Sequence, residues 1–133
     1  GGDPDTVVQS ISGGRMGVMP PWGEVLGDEG VEQVVAYVRK LSNQPADATL
    51  AAAGETHFQT VCAACHGMDG KGNTMLGAPN LTDGVWLYGS DDASIRETIV
   101  GGRNNQMPAF AEKLGEQRVR LLAAYVLRMS DGA

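Results

Sequence analysis

One spacing recurs through this chain without a gap, and it constrains the fold more than any local pattern does. Ile11, Gly13-Gly14-Arg15, Met19-Pro20, Glu24, Leu26-Gly27, Val31, Ala36-Tyr37-Val38 and Ser42 return 88 residues later as Ile99, Gly101-Gly102-Arg103, Met107-Pro108, Glu112, Leu114-Gly115, Val119, Ala124-Tyr125-Val126 and Ser130. From Ile11 to Ser42, 14 of 32 positions are identical. The matches include Gly, Pro and Met at loop positions, which shared helix-favouring composition does not explain, so one structural unit is present twice. Carried back from Cys62, the spacing falls before residue 1. Residues 1–44 are therefore expected to be the C-terminal part of a first domain and 45–133 a complete second one. The linker is Asn43-Gln44-Pro45-Ala46-Asp47, where Pro45 disfavours helix at Gln44.

The elements read as helices joined by long loops. Residues 48–64 lack proline and carry Leu50, Phe58 and Val61 among alanines, predicting a helix that delivers Cys62 near its C-terminal end. Gly54 and Phe58 lie one turn apart on it, a small-then-aromatic spacing that permits close approach of another helix. Glycines, Pro79 and Asn80 break regular structure from Met68 to Tyr88. A short helix is predicted from Asp92 to Val100, opened by Asp91 or Asp92 and closed by Gly101-Gly102. The last runs from Gln117 to Met129, with Val119, Leu122, Ala123 and Val126 forming a buried stripe. No pair of alternating strands is evident. Aromatic residues are 5% of the chain while glycine numbers 19, so side chains alone offer a thin core. An all-α fold of this kind needs a large object to wrap around.

Cys62-Ala63-Ala64-Cys65-His66 supplies one. Cys-x-x-Cys-His is the attachment signature of c-type haem: two thiols add to the porphyrin vinyl groups, and the adjacent histidine ligates iron. A redox dithiol shares Cys-x-x-Cys, yet its usual βαβ setting is absent. Zinc needs four ligands, and Cys62, Cys65, His57 and His66 are the chain's whole Cys and His complement, with two of them adjacent. A structural disulfide would leave His66 and the long loop unexplained. Among six methionines, Met107 is the best candidate for the second axial ligand, because it lies in a loop after a helix and is followed by Pro108. Met75 is its rival. His57 sits five residues before Cys62 on the same predicted helix, which suits ligation less well. Histidine and methionine together would close the coordination sphere and favour electron transfer over oxygen chemistry.

The net charge of −6 argues against nucleic acid as a partner, since phosphates need a basic surface. It suits steering towards a basic patch on a redox partner. No stretch approaches the ~20 apolar residues of a membrane-spanning helix, and the N-terminal residues do not resemble a signal peptide.

The motifs Cys62-Ala-Ala-Cys-His-Gly with Lys71-Gly72, Gly77-Ala-Pro-Asn-Leu-Thr, Trp86-Leu-Tyr-Gly, Ile99 to Arg103, Met107-Pro108 and Leu121-Leu-Ala-Ala-Tyr-Val resemble the dihaem cytochrome c subunit of cbb3-type cytochrome c oxidases. The resemblance implies tandem class I cytochrome c domains, each of few helices and long loops around a covalent haem. It implies Cys62 and Cys65 as thioether residues, His66 and Met107 as iron ligands, and Pro79 as the carbonyl that orients His66. Arg103 becomes a partner for a propionate, and Trp86 and Tyr88 line the haem edge. Met19 corresponds to the distal ligand of a first haem, whose attachment motif and membrane anchor would lie outside this sequence. One haem c is then expected on this chain and a second with the N-terminal part. The implied role is non-catalytic electron entry into a terminal oxidase on the periplasmic side of the bacterial cytoplasmic membrane. Its partners would be the other oxidase subunits, with a soluble cytochrome c or the bc1 complex as donor. The rival readings are a soluble dihaem shuttle, a cytochrome subunit of a periplasmic dehydrogenase, or a haem peroxidase or gas sensor.

Overall fold

A computed structural model of the chain describes residues 2–132. They form two compact units, one of residues 17–104 and the other of residues 2–16 with 105–132.

The 17–104 unit is built on α2 (Gly23–Leu41), α3 (Ala48–His57) and α5 (Asp92–Gly101). Helix α2 packs on both α3 and α5. Asp47 caps α3 by accepting the Leu50 N–H at 2.9 Å, and Asp91 caps α5 by accepting the Ser94 N–H at 3.0 Å. Val31, Val34, Val35, Tyr37 and Val38 of α2 meet Phe58, Cys62, Ile95 and Ile99 in one core. The packing is close because residue 54 is glycine: a Cβ there would overlap the Gln33 carbonyl oxygen. Phe58, fully buried, sets its ring 5.1 Å from that of Tyr37 at a 55° tilt. The Gly54/Phe58 spacing does admit a second helix, and that helix is α2.

The expected single helix over 48–64 is interrupted. After α3, Phe58–Cys62 forms a π-helical turn in which the Ala63 N–H reaches the Phe58 carbonyl, and α4 (Ala63–His66) follows. From Gly67 to Ser90 the chain is irregular and pinned by its own hydrogen bonds. The Gly72 N–H donates to the His66 carbonyl and the Leu81 N–H to that of Gly70, both at 2.8 Å. Asn73, Asn80 and Asp83 each accept a backbone N–H two residues on.

The other unit packs α1 (Pro4–Gly13) on α6 (Ala111–Leu114) and α7 (Glu116–Asp131). Its core is smaller: Ile11, Val119 and Ala123, flanked by Val7, Val8, Phe110 and Leu114.

The 88-residue repeat is exact at the level of elements. Helix α1 corresponds to α5, β1 (Arg15–Met19) to β2 (Arg103–Met107), and α2 to α6 with α7. Asp3 accepts the Thr6 N–H as Asp91 accepts that of Ser94. Gly27, at the kink in α2, has φ 67° and ψ 171°, and Gly115 between α6 and α7 has φ 75° and ψ 160°.

One expectation requires correction. Strands β1 and β2 pair in a two-stranded sheet. Neither Arg-Met-Gly-Val-Met nor Arg-Asn-Asn-Gln-Met alternates apolar with polar, so no sequence period announced them. The boundaries between the compact units fall at 16/17 and 104/105. The second half of each repeat packs with the first half of the other: the Trp22 N–H donates to the Ile99 carbonyl at 2.9 Å, and the Phe110 N–H donates to that of Ile11 at 3.0 Å.

Candidate haem-binding site

The 17–104 unit holds Cys62, Cys65 and His66 together because the π turn and α4 are continuous with α3, whose back is fixed by α2. Cys62 joins the core while Cys65 is exposed, and both thiols are unpaired. Burial, then the neighbouring Cys65 charge, pushes the Cys62 thiol up to about 11. At neutral pH it is therefore a protonated thiol. His66 is only 7% exposed. Its Nδ1–H donates to the Pro79 carbonyl at 3.1 Å, which fixes the ring and leaves Nε2 as the nitrogen available to a metal. Burial lowers the His66 pKa, and the Pro79 hydrogen bond opposes that shift. The ring is thus neutral near pH 7, the form that ligates.

Trp86 packs against the core cluster. Arg103 stacks its guanidinium 3.9 Å over the Tyr88 ring, and its Nε and Nη2 donate to Thr98 Oγ1 at 3.1 and 2.9 Å, with Glu97 3.6 Å away. Pro79, Trp86, Tyr88 and Arg103 thus share the unit of His66. So does Met19, which packs against the cluster containing Cys62. Met107 does not: it falls in the 105–132 part of the other unit. Met75 is almost fully exposed, and His57 Nε2 pairs with Gln33 Oε1 at 3.1 Å. Sequence reading missed Thr98, which fixes Arg103. Its one available signal was the repeat, in which Ser10 does the same for Arg15 at 2.9 Å.

The donor set fits a c-type haem. Two separate thiols precede a buried, oriented imidazole, and the loop that follows leaves Leu76, Val85 and Leu87 exposed, an apolar surface suited to a large planar ligand. Among the described residues no three His, Cys, Asp or Glu side chains converge on one point.

A family model described as "Cytochrome C oxidase, cbb3-type, subunit III" matches residues 49–126, more than half of the chain. The chain belongs to this family. It is 42% identical over 132 residues to the cbb3-type cytochrome c oxidase subunit CcoP of Rubrivivax gelatinosus, covering 98% of this chain and 43% of the relative. To CcoP of Cereibacter sphaeroides it is 40% identical over 143 residues, covering 99% and 49%. To subunit FixP of Bradyrhizobium diazoefficiens it is 42% identical over 144 residues, again covering 99% and 49%. The chain thus spans less than half the length of these relatives. What it shares with the cbb3-type family is a mostly helical cytochrome c-type domain. Among the described residues no helix is long and apolar enough to cross a membrane.

Proposed function

We propose that this chain transfers electrons through one covalently held c-type haem, as part of the cytochrome subunit that feeds a cbb3-type terminal oxidase. The observation that carries this reading is His66: buried, oriented by Pro79, and directly preceded by two unpaired cysteines. Cys62 and Cys65 would form the thioethers, and His66 would give iron one axial nitrogen. The haem would supply a one-electron couple whose potential an axial thioether raises. The protein's own contribution is positional. The Pro79 carbonyl keeps the proton on Nδ1 and strengthens Nε2 as a donor, and the core behind Cys62 excludes water from that edge. Arg103, held by Thr98 and Tyr88, would place a positive charge near a propionate. A closed ligand set leaves this chain without a substrate position, so oxygen chemistry would belong to another subunit.

The relatives' names as oxidase subunits support other oxidase subunits as partners; an anchor outside these residues and the periplasmic face as the location are part of the proposal. The acidic surface suits a basic soluble cytochrome, or the bc1 complex, as donor. Intact mass combined with a pyridine haemochrome assay tests the reading. One haem per chain is expected. A chain without haem, or a Cys62→Ser, Cys65→Ser variant that still holds haem covalently, would overturn it. Rapid carbon monoxide binding to the reduced protein at neutral pH would exclude a closed site.

A further inference from the structure

Arg103 is a largely buried cation, its side chain 23% exposed, and one hydroxyl decides where it points. We infer that Thr98 is the residue that positions Arg103, and that through Arg103 it raises the reduction potential of a haem held at Cys62, Cys65 and His66. This rests on the covalent-haem reading above.

Three observations carry it. The first is the use of every valence at one oxygen. Thr98 Oγ1–H donates to the Ser94 carbonyl at 3.0 Å, so its single proton is committed along α5 and its lone pairs are left to accept. Arg103 takes them, through Nε at 3.1 Å and Nη2 at 2.9 Å. Those two bonds occupy the inner edge of the guanidinium and leave the Nη1–Nη2 edge, which can grip a carboxylate bidentately. The Tyr88 ring lies 3.9 Å under the same group.

The second is the turn that brings Arg103 back over α5. Gly102 takes φ 67° at the end of the helix, and its N–H donates to the Thr98 carbonyl at 2.9 Å. Carbonyl and hydroxyl of one residue thus hold both residues that follow α5.

The third separates Thr98 from Glu97, which pairs with the same cation. In the other copy of the repeat, Ser10 Oγ–H donates to the Thr6 carbonyl at 2.8 Å and accepts the Arg15 Nε–H at 2.9 Å. Ser10 and Arg15 stand 88 positions before Thr98 and Arg103, but the counterpart of Glu97 is Gln9. The duplicated unit keeps the hydroxyl and its arginine without the carboxylate. Glu97 is moreover 74% exposed and 3.6 Å from Nη1, a contact that contributes little in water.

A positive charge fixed near the iron favours the reduced form, which carries one positive charge fewer. An arginine free to swing into solvent loses most of that effect to screening.

Potentiometric titration of the haem-loaded chain tests this. Thr98→Val keeps the shape, removes the acceptor and should shift the potential downward, whereas Thr98→Ser should keep the parent value. Arg103→Gln should shift it at least as far, and adding Thr98→Val to Arg103→Gln should shift it no further. Glu97→Gln should not lower it. Thr98→Ala carries the same expectations as Thr98→Val and covers the case in which the valine variant fails to fold. With haem attached, a parent-like potential in Thr98→Val or Arg103→Gln, a further fall in the double variant, or a fall in Glu97→Gln overturns the inference alone. A parent chain without attached haem overturns the covalent-haem reading as well.

Discussion

Helices α2 and α7 descend from the same repeat and carry nearly the same apolar stripe, yet they live in different surroundings. Tyr37 is 6% exposed and Tyr125 61%; Val34 is 1% exposed and Leu122 40%. Neither propensity nor pattern distinguishes them. The difference is α3, which covers that face of α2 and has no counterpart against α7 among the described residues. Burial in this molecule is thus a property of the partner rather than of the helix.

The largest effect should come from removing what α3 brings to α2. Phe58→Ala deletes a fully buried ring and is expected to cost about 3–5 kcal/mol in chemical denaturation of the 17–104 unit. The paired tyrosines come next. Tyr37→Ala should cost about 2 kcal/mol or more, while Tyr125→Ala stays within about 0.5 kcal/mol. Equal losses would mean that α7 too has a covered face. Glu32→Arg, which gives α2 the charge of α7, should cost about 0.2–1 kcal/mol because both partners are partly solvated. Arg96→Glu in the same background should recover only part of it, because Arg96 also pairs with Asp28 at 3.2 Å.

The smallest effect is one that the repeats should share. Hydrogen bonds from the hydroxyl and then the N–H of Thr6 hold Asp3 below the ordinary carboxylate range, and Ser94 does the same for Asp91. A depressed folded pKa gives stability that is present above the unfolded value near 3.8 and is lost as pH falls through the lowered value. Acid titration followed by circular dichroism should therefore fray α1 and α5 below about pH 3.8. Asp3→Asn with Asp91→Asn, keeping the cap oxygen without the charge, should flatten that dependence.

Much of this was legible in the sequence. Cys62, Cys65 and His66 form a contiguous motif, and the Asp91 cap, α5 and α7 follow from local signals. The repeat showed which segments are equivalent. It could not show which copy packs where, because both stripes satisfy the same apolar surface. Nor could it show the polar contacts of Gln33, Glu32, Arg39 and Arg96, single residues whose partners lie 24 to 68 positions away in sequence. Met107 was named for its place after a helix, and Met19 stands in the same place in the other copy. The strands escaped notice for a related reason, since each pairs only with its own duplicate.

The π turn at Phe58–Cys62 has a consequence for how this family tolerates change. It holds one residue more than an α-helical path would use. Losing one of Gln59, Thr60 or Val61 would preserve the motif letter for letter, keep α3 on α2 and let the turn relax to an α-helical path. Because the wider turn absorbs the extra residue, Cys62, Cys65 and His66 would keep nearly the same phase, whereas the same loss within α3 would rotate them together by roughly 100° about the helix axis. A single-residue deletion is therefore expected to be less damaging in this turn than in α3.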